Sequence, residues 1–175
     1  MIKKILFGLL GLIVIGAGLL FLINGKDTYD ATKYSAKVSN GLNTGSTISF
    51  TLPDQFDKAH SLQIETKTLI LAFAKSTGHT VKAFLKKQDK DYLAKRDALF
   101  VADISPMPTV IRNTFALPDL KKSTYSVLLI YDNNIAKQLK NEKEADKIAV
   151  VTFENGVVKD TKYINSEEEL KTLLK

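Results

Sequence analysis

The sequence predicts a three-layer α/β domain with a mixed central sheet, preceded by one N-terminal transmembrane helix. Three observations predict it. An uncharged apolar stretch fills residues 5–23, short apolar runs then alternate with segments of helical period, and an Asn-Gly hairpin signal followed by a capped helix closes the chain.

The stretch ILFGLLGLIVIGAGLLFLI (residues 5–23) covers about 28 Å as a helix, against a hydrocarbon thickness of about 30 Å. It exceeds the apolar region of about 7–15 residues found in a cleavable signal, and FLING at its end offers no small-x-small cut site. An uncleaved anchor is therefore expected. Lys3 and Lys4 precede it, whereas Lys26 behind it is neutralised by Asp27, so the positive-inside bias keeps the N-terminus cytoplasmic. The remainder is exported, to the periplasm or the cell exterior. The expected divisions are a cytoplasmic tail (1–4), an anchor (5–23), a polar linker and lead-in rich in Asn, Thr, Ser and Gly (24–45), and one folded domain (46–175).

Within that domain STISFTL (46–52) alternates as a first strand, stopped by Pro53-Asp54. LILAFA (69–74) is continuous and apolar, as a strand covered on both faces must be. After a turn at Ser76-Thr77-Gly78, residues Val81, Phe84, Leu85, Gln88 and Tyr92 fall at helical spacing. LFVADI (99–104) reads as the next strand. Met107, Val110, Ile111 and Phe115 mark a second helix, started after Ser105-Pro106 and stopped before Pro118. VLLIY (127–131) is a third buried strand, followed by a short helix over 135–139. IAVVTF (148–153) is a fourth, and Asn155-Gly156 turns the chain into 157–164. Ser166 with Glu169 three positions on forms a capping box, and Leu170, Leu173 and Leu174 dock the last helix.

Composition removes several function classes. There is no cysteine, which excludes disulfides, thiolate metal sites and thiol redox chemistry. The net charge of +6 is spread through a mixed surface: Asp89, Asp91 and Asp97 lie among Lys86, Lys87, Lys90, Lys95 and Arg96. A nucleic-acid reader needs a basic face with stacking aromatics, so no nucleic-acid partner is expected. The partners expected are the membrane, through the N-terminal helix, and an envelope protein or small ligand.

The order of elements and several strings resemble the thioredoxin-like proteins of the alkyl hydroperoxide reductase and TlpA group. FTLPDQFDKAHSLQ (50–63) followed by LILAFA is similar to their opening strands. YSVLLIYDNNIAKQL (125–139) resembles their inserted strand and helix, and IAVVTFENGVV (148–158) their hairpin. VADISPMPTVIRNTFALPDLKKSTY (101–125) most resembles YtfJ-type exported proteins. The resemblance covers 46–175 and implies a thioredoxin-like fold. It also places the family's CxxC near Gly78-His79-Thr80-Val81 and its cis-proline near Ile148, so both signature features are missing here. The superfamily's redox activity does not transfer, and with no proline at Ile148 a trans bond is expected there.

The candidate ligand-binding residues are His79, Thr77, Thr80, Asp103, Ser105 and Asp132. His79 falls at the start of the first helix, above the carboxyl ends of the parallel strands, where open α/β sheets bind ligands. With Thr77 and Thr80 it belongs to a helix N-terminus able to cradle an anion, or to do nothing more than cap it. Asp103 and Asp132 end two strands and are candidates for cation binding or acid-base work, each with a competing role as a turn or cap residue. Ser105, His79 and Asp103 can be assembled on paper as a hydrolase triad, but no Gly-x-Ser-x-Gly elbow is present. His60 and His79 are the only histidines and match no zinc spacing, so no metal and no cofactor is expected. The leading expectation is a redox-inactive binding module at the cell envelope. The alternatives are an enzyme with non-thiol chemistry and a cation-binding module.

Overall fold

The computed structural model describes residues 25–175, together with Gly16 and Gly18. The expected tail (1–4) and, apart from those two glycines, the expected span (5–23) lie outside the described residues. Among the described residues no helix is long and apolar enough to cross a membrane.

Strands β1 (Ser35–Val38), β2 (Ile48–Pro53) and β3 (Ala59–Ser61) form a small antiparallel sheet in the order β1-β2-β3. The central sheet is built from β4 (Thr68–Ala72), β5 (Ala98–Asp103), β6 (Leu128–Ile130), β7 (Ile148–Glu154) and β8 (Val157–Ile164). Its order is β6-β5-β4-β7-β8, with β4, β5 and β6 parallel, β7 antiparallel to β4, and β8 antiparallel to β7. Helix α1 (Lys75–Leu85) follows β4. Helix α2 follows β5 in three parts: an α turn at Thr109–Ile111, a π turn at Arg112–Ala116 and a last α turn at Leu117–Leu120. Helix α3 (Asn133–Leu139) follows β6, and α4 (Glu167–Leu173) ends the domain.

The pleat explains the layers. All five residues of β4 are buried, and they alternate between two cores: Leu69 and Leu71 join Phe50, Leu52 and Leu139 on one face, whereas Ile70 meets Val81, Phe84 and Leu170 on the other. The small sheet and α3 thus cover one side of the central sheet, and α1 and α4 the other. Burying each such aliphatic side chain contributes about 1.5–3 kcal/mol. At the β7–β8 turn Asn155 and Gly156 have φ of 53° and 76°, the positive pair that a two-residue type I′ hairpin requires. In the α4 capping box Ser166 Oγ accepts from the Glu169 N–H at 3.2 Å, and Glu169 Oε2 accepts from the Ser166 N–H at 3.1 Å.

Three features differ from the sequence expectations. The expected linker over 24–45 holds β1, which pairs with β2 and buries Tyr34, Ala36 and Leu42. The second helix continues through Pro118 instead of stopping before it. The π turn accounts for this: the Leu117 N–H bonds to the Arg112 carbonyl, five residues back, and the wider turn accommodates a ring that would collide with the preceding turn of a regular α-helix. Finally, Ser76-Thr77-Gly78 is the first turn of α1. Thr77 Oγ1 accepts from the Ala74 N–H at 3.2 Å and donates to the Ala74 carbonyl at 2.8 Å, so a side chain already inside the helix caps it.

Gly78 therefore sits in a helix interior, without positive φ and with no atom within 4 Å of a Cβ placed there. Gly78→Ala is expected to raise the unfolding free energy by about 0.5–1 kcal/mol. Urea unfolding measures it, and a lower stability for the variant would contradict the open space assigned to this position.

Candidate functional site: a cavity between α1 and α2

A cavity of about 570 Å³ lies between α1, α2 and the underlying strands. Its walls are mainly apolar, formed by Phe100, Ile104, Met107, Ile111, Phe115 and Val127. Ile111 and Phe115 are 47% and 63% exposed, so the sequence's apolar helix face forms an open lip and not a closed contact. Polar groups gather at two places along α1. Lys75 and His79, in its first turns, line the cavity together with Asp103 at the end of β5; Lys82, further on, pairs with Asp119, and Tyr125 lines the wall with them. The seven residues from Lys75 to Lys82 separate these places by about 10 Å.

His79 and Asp103 both line this cavity, so the structure brings these two candidates to one space. Burial pushes the Asp103 carboxyl above its ordinary value, against the pull of hydrogen bonding from Ser105 and the charge of Lys140. The other candidates have local duties and do not line the cavity. Thr77 is the buried cap described above, and Thr80 Oγ1 donates to the Ser76 carbonyl at 3.2 Å. The Ser105 N–H donates to Asp103 Oδ1 at 2.9 Å, while its Oγ is buried without a well-formed hydrogen bond. Asp132 caps α3, accepting from the Asn134 N–H at 2.8 Å. Its carboxylate is therefore committed to a helix end. Among the described residues, no three His, Cys, Asp or Glu side chains gather as metal ligands would.

The residues that shape the site without having been marked by sequence are Lys82, Asp119, Tyr125 and Arg112. Lys82 and Asp119 form an ion pair from α1 to α2 across the cavity. The Tyr125 side chain is buried, and its Oη lies beside the Ser123 hydroxyl without a well-formed hydrogen bond. Burial also pushes its phenol up from the ordinary value. Arg112, only 4% exposed, does not line the cavity: its guanidinium carbon is 4.7 Å from the centre of the Tyr131 ring and its Nη2 is 2.7 Å from Asp27 Oδ2. Tyr29 stacks between Tyr131 and Tyr34, at 4.8 and 5.5 Å. Asn113 Nδ2 donates to the Lys26 carbonyl at 3.0 Å. Residues 26–34 are thereby strapped onto α2 and the end of β6. Burial pushes the Tyr34 and Tyr131 phenols up to about 12.

A parallel β-α-β unit, a third parallel strand, an antiparallel hairpin and a closing helix make up a thioredoxin-like fold. Gly78 of α1 lines its cavity. The bond before Ile148 is trans, as is every peptide bond among the described residues. The chain matches no protein-family model and no curated protein. Solved structures to which it is similar include the peroxidoxin BcpB from Mycobacterium tuberculosis, with 17% identity over 75% of this chain and 92% of that one and a TM-score of 0.49. Another is the thioredoxin domain of a thiol-disulfide oxidoreductase from Bacteroides vulgatus, with 11% identity, 76% and 99% coverage and a TM-score of 0.48. A third is a SCO1/SenC family lipoprotein from Bacillus anthracis str. Ames, with 13% identity, 72% and 90% coverage and a TM-score of 0.44.

Proposed function

We propose that the protein is a membrane-anchored, exported, redox-inactive thioredoxin-like module that binds a ligand in the cavity between α1 and α2. The observation that carries this reading is the cavity itself: about 570 Å³, within the usual size of a ligand site, on a chain without cysteine. The uncharged stretch at 5–23 supports the anchor. A small ligand fits a concave space of this size with apolar walls better than a protein partner does, and a partner in the envelope remains the other occupant to test for.

The test uses the full chain in lipid nanodiscs and a melting-temperature screen across metabolites and ions. A true ligand at about one hundred times its Kd adds about 2.7 kcal/mol of stability, a shift such a screen resolves. No shift from any compound, together with no stoichiometric partner in a native pull-down, would overturn the proposal.

One observation favours a second reading, an enzyme with non-thiol chemistry: His79 and Asp103 share the cavity, and burial favours the protonated form of Asp103. In that case alanine at either position abolishes the activity and leaves the melting temperature nearly unchanged. Retained activity removes this reading.

A further inference from the structure

Building on the ligand-binding reading above, we infer that the cavity holds the apolar chain of a single-chain anionic amphiphile, whose head occupies a smaller polar pocket next to it. This second pocket, of about 170 Å³, adds Lys86, Lys122, Ser123 and Thr124 to three residues it shares with the cavity: Lys82, Asp119 and Tyr125. The shared residues make the two spaces neighbours with one common wall.

The chemistry changes across that wall. On the cavity side the lining is aliphatic and aromatic, and the run along α1 is about 10 Å. On the other side three lysines face a single carboxylate, Asp119, which is held below its ordinary value by Lys82 first and then by Lys122 and Lys86. The surplus is cationic and suits an anion.

Tyr125 adds a polar mark to the common wall. It is 7% exposed, its Oη lies beside the Ser123 Oγ of the small pocket, and neither hydroxyl has a well-formed hydrogen bond. Buried hydroxyls are normally satisfied, and the oxygen of a carboxylate or phosphate head would accept from both. A peptide fits less well, because the apolar walls would leave its amides unpaired. Exposed Ile111 and Phe115 form the lip over which an alkyl chain enters.

The probe is dodecanoic acid carrying a terminal diazirine, photolysed with the full chain in phosphatidylcholine nanodiscs. Labelling is expected on β5 and α2 near Met107 and Phe115, competed by unlabelled dodecanoate or dodecyl phosphate; whichever competes at lower concentration identifies the head as carboxylate or phosphate. Gly78→Leu, which fills open space at the cavity wall, is expected to cut labelling at least tenfold without lowering the melting temperature. Tyr125→Phe and the pair Lys86→Ala and Lys122→Ala are each expected to cut it several-fold. Equal labelling by the neutral dodecanol analogue, or labelling that none of these variants changes, would overturn the anionic amphiphile. Absence of labelling in a folded protein would overturn it too. A melting shift with some other compound would then show that the general ligand-binding reading survives the loss of this one.

Discussion

Replacing Gln55 with leucine is expected to lower the unfolding free energy by about 3 kcal/mol, from two buried backbone groups losing partners at about 1–3 kcal/mol each. The side chain is 3% exposed. Its Nε2 donates to the Tyr125 carbonyl at 2.9 Å, and its Oε1 accepts from the Val127 N–H at 2.9 Å. One amide thus replaces a strand, joining the β2–β3 turn to the segment that leads into β6. Leucine has a similar volume and leaves both backbone groups unpaired in an apolar setting. Equilibrium urea unfolding gives the number. A variant within about 0.5 kcal/mol of the parent would show that water reaches these groups. Because Tyr125 also forms the common wall of both pockets, the same substitution is expected to weaken ligand binding before the protein unfolds.

Asp54→Ala is expected to cost about 2–4 kcal/mol at neutral pH, since a buried carboxylate that accepts several charge-assisted hydrogen bonds is lost at once. Asp54 is 6% exposed. Its Oδ1 accepts from the Phe56 N–H at 2.8 Å and the Lys58 N–H at 3.0 Å, and Oδ2 lies 2.9 Å from His60 Nε2. Burial alone would raise its pKa, but the hydrogen bonds from His60, Lys58 and Phe56 outweigh burial and hold it below the ordinary value. The folded state therefore binds the Asp54 proton more weakly than the unfolded chain does. The resulting stability is fully present above the unfolded pKa of about 3.9 and disappears as pH falls through the lower folded value. The gap between parent and variant should be constant near neutrality and narrow below about pH 4. A gap that stays constant down to pH 2 would contradict the assigned role.

The parts of this fold legible in the sequence are those whose signals are local. Runs such as LILAFA and IAVVTF need burial wherever they go, Asn155-Gly156 fits almost nothing but a tight hairpin, and Ser166 with Glu169 caps a helix by contacts three residues apart. Strand β1 is different. SAKV carries only Ala36 and Val38 at alternate positions, and its state is decided by pairing with β2, ten residues later. The passage of α2 through Pro118 was equally hidden, because a π turn depends on what its side chains meet; buried Arg112 finds Asp27 and Tyr131 from distant parts of the chain. At the site, the position of His79 and Asp103 followed from the order of strands and helices. The cavity did not, because it is the space left between two helices. Asp132, Thr77 and Thr80 carry the same residue types as a binding site would, and only hydrogen bonding shows that they serve helix ends and turns.

The docking of residues 26–34 sets how far the domain can travel. A free spacer over 24–45 would have a root-mean-square reach of about 26 Å. With Lys26, Asp27 and Tyr29 fixed to the domain surface, the play left between Ile23 and Lys26 is about 10 Å, even with the chain fully extended. If 5–23 lies in the bilayer as proposed, the domain is moored close to the lipid headgroups, and the molecules it meets are those dissolved in, or leaving, that surface.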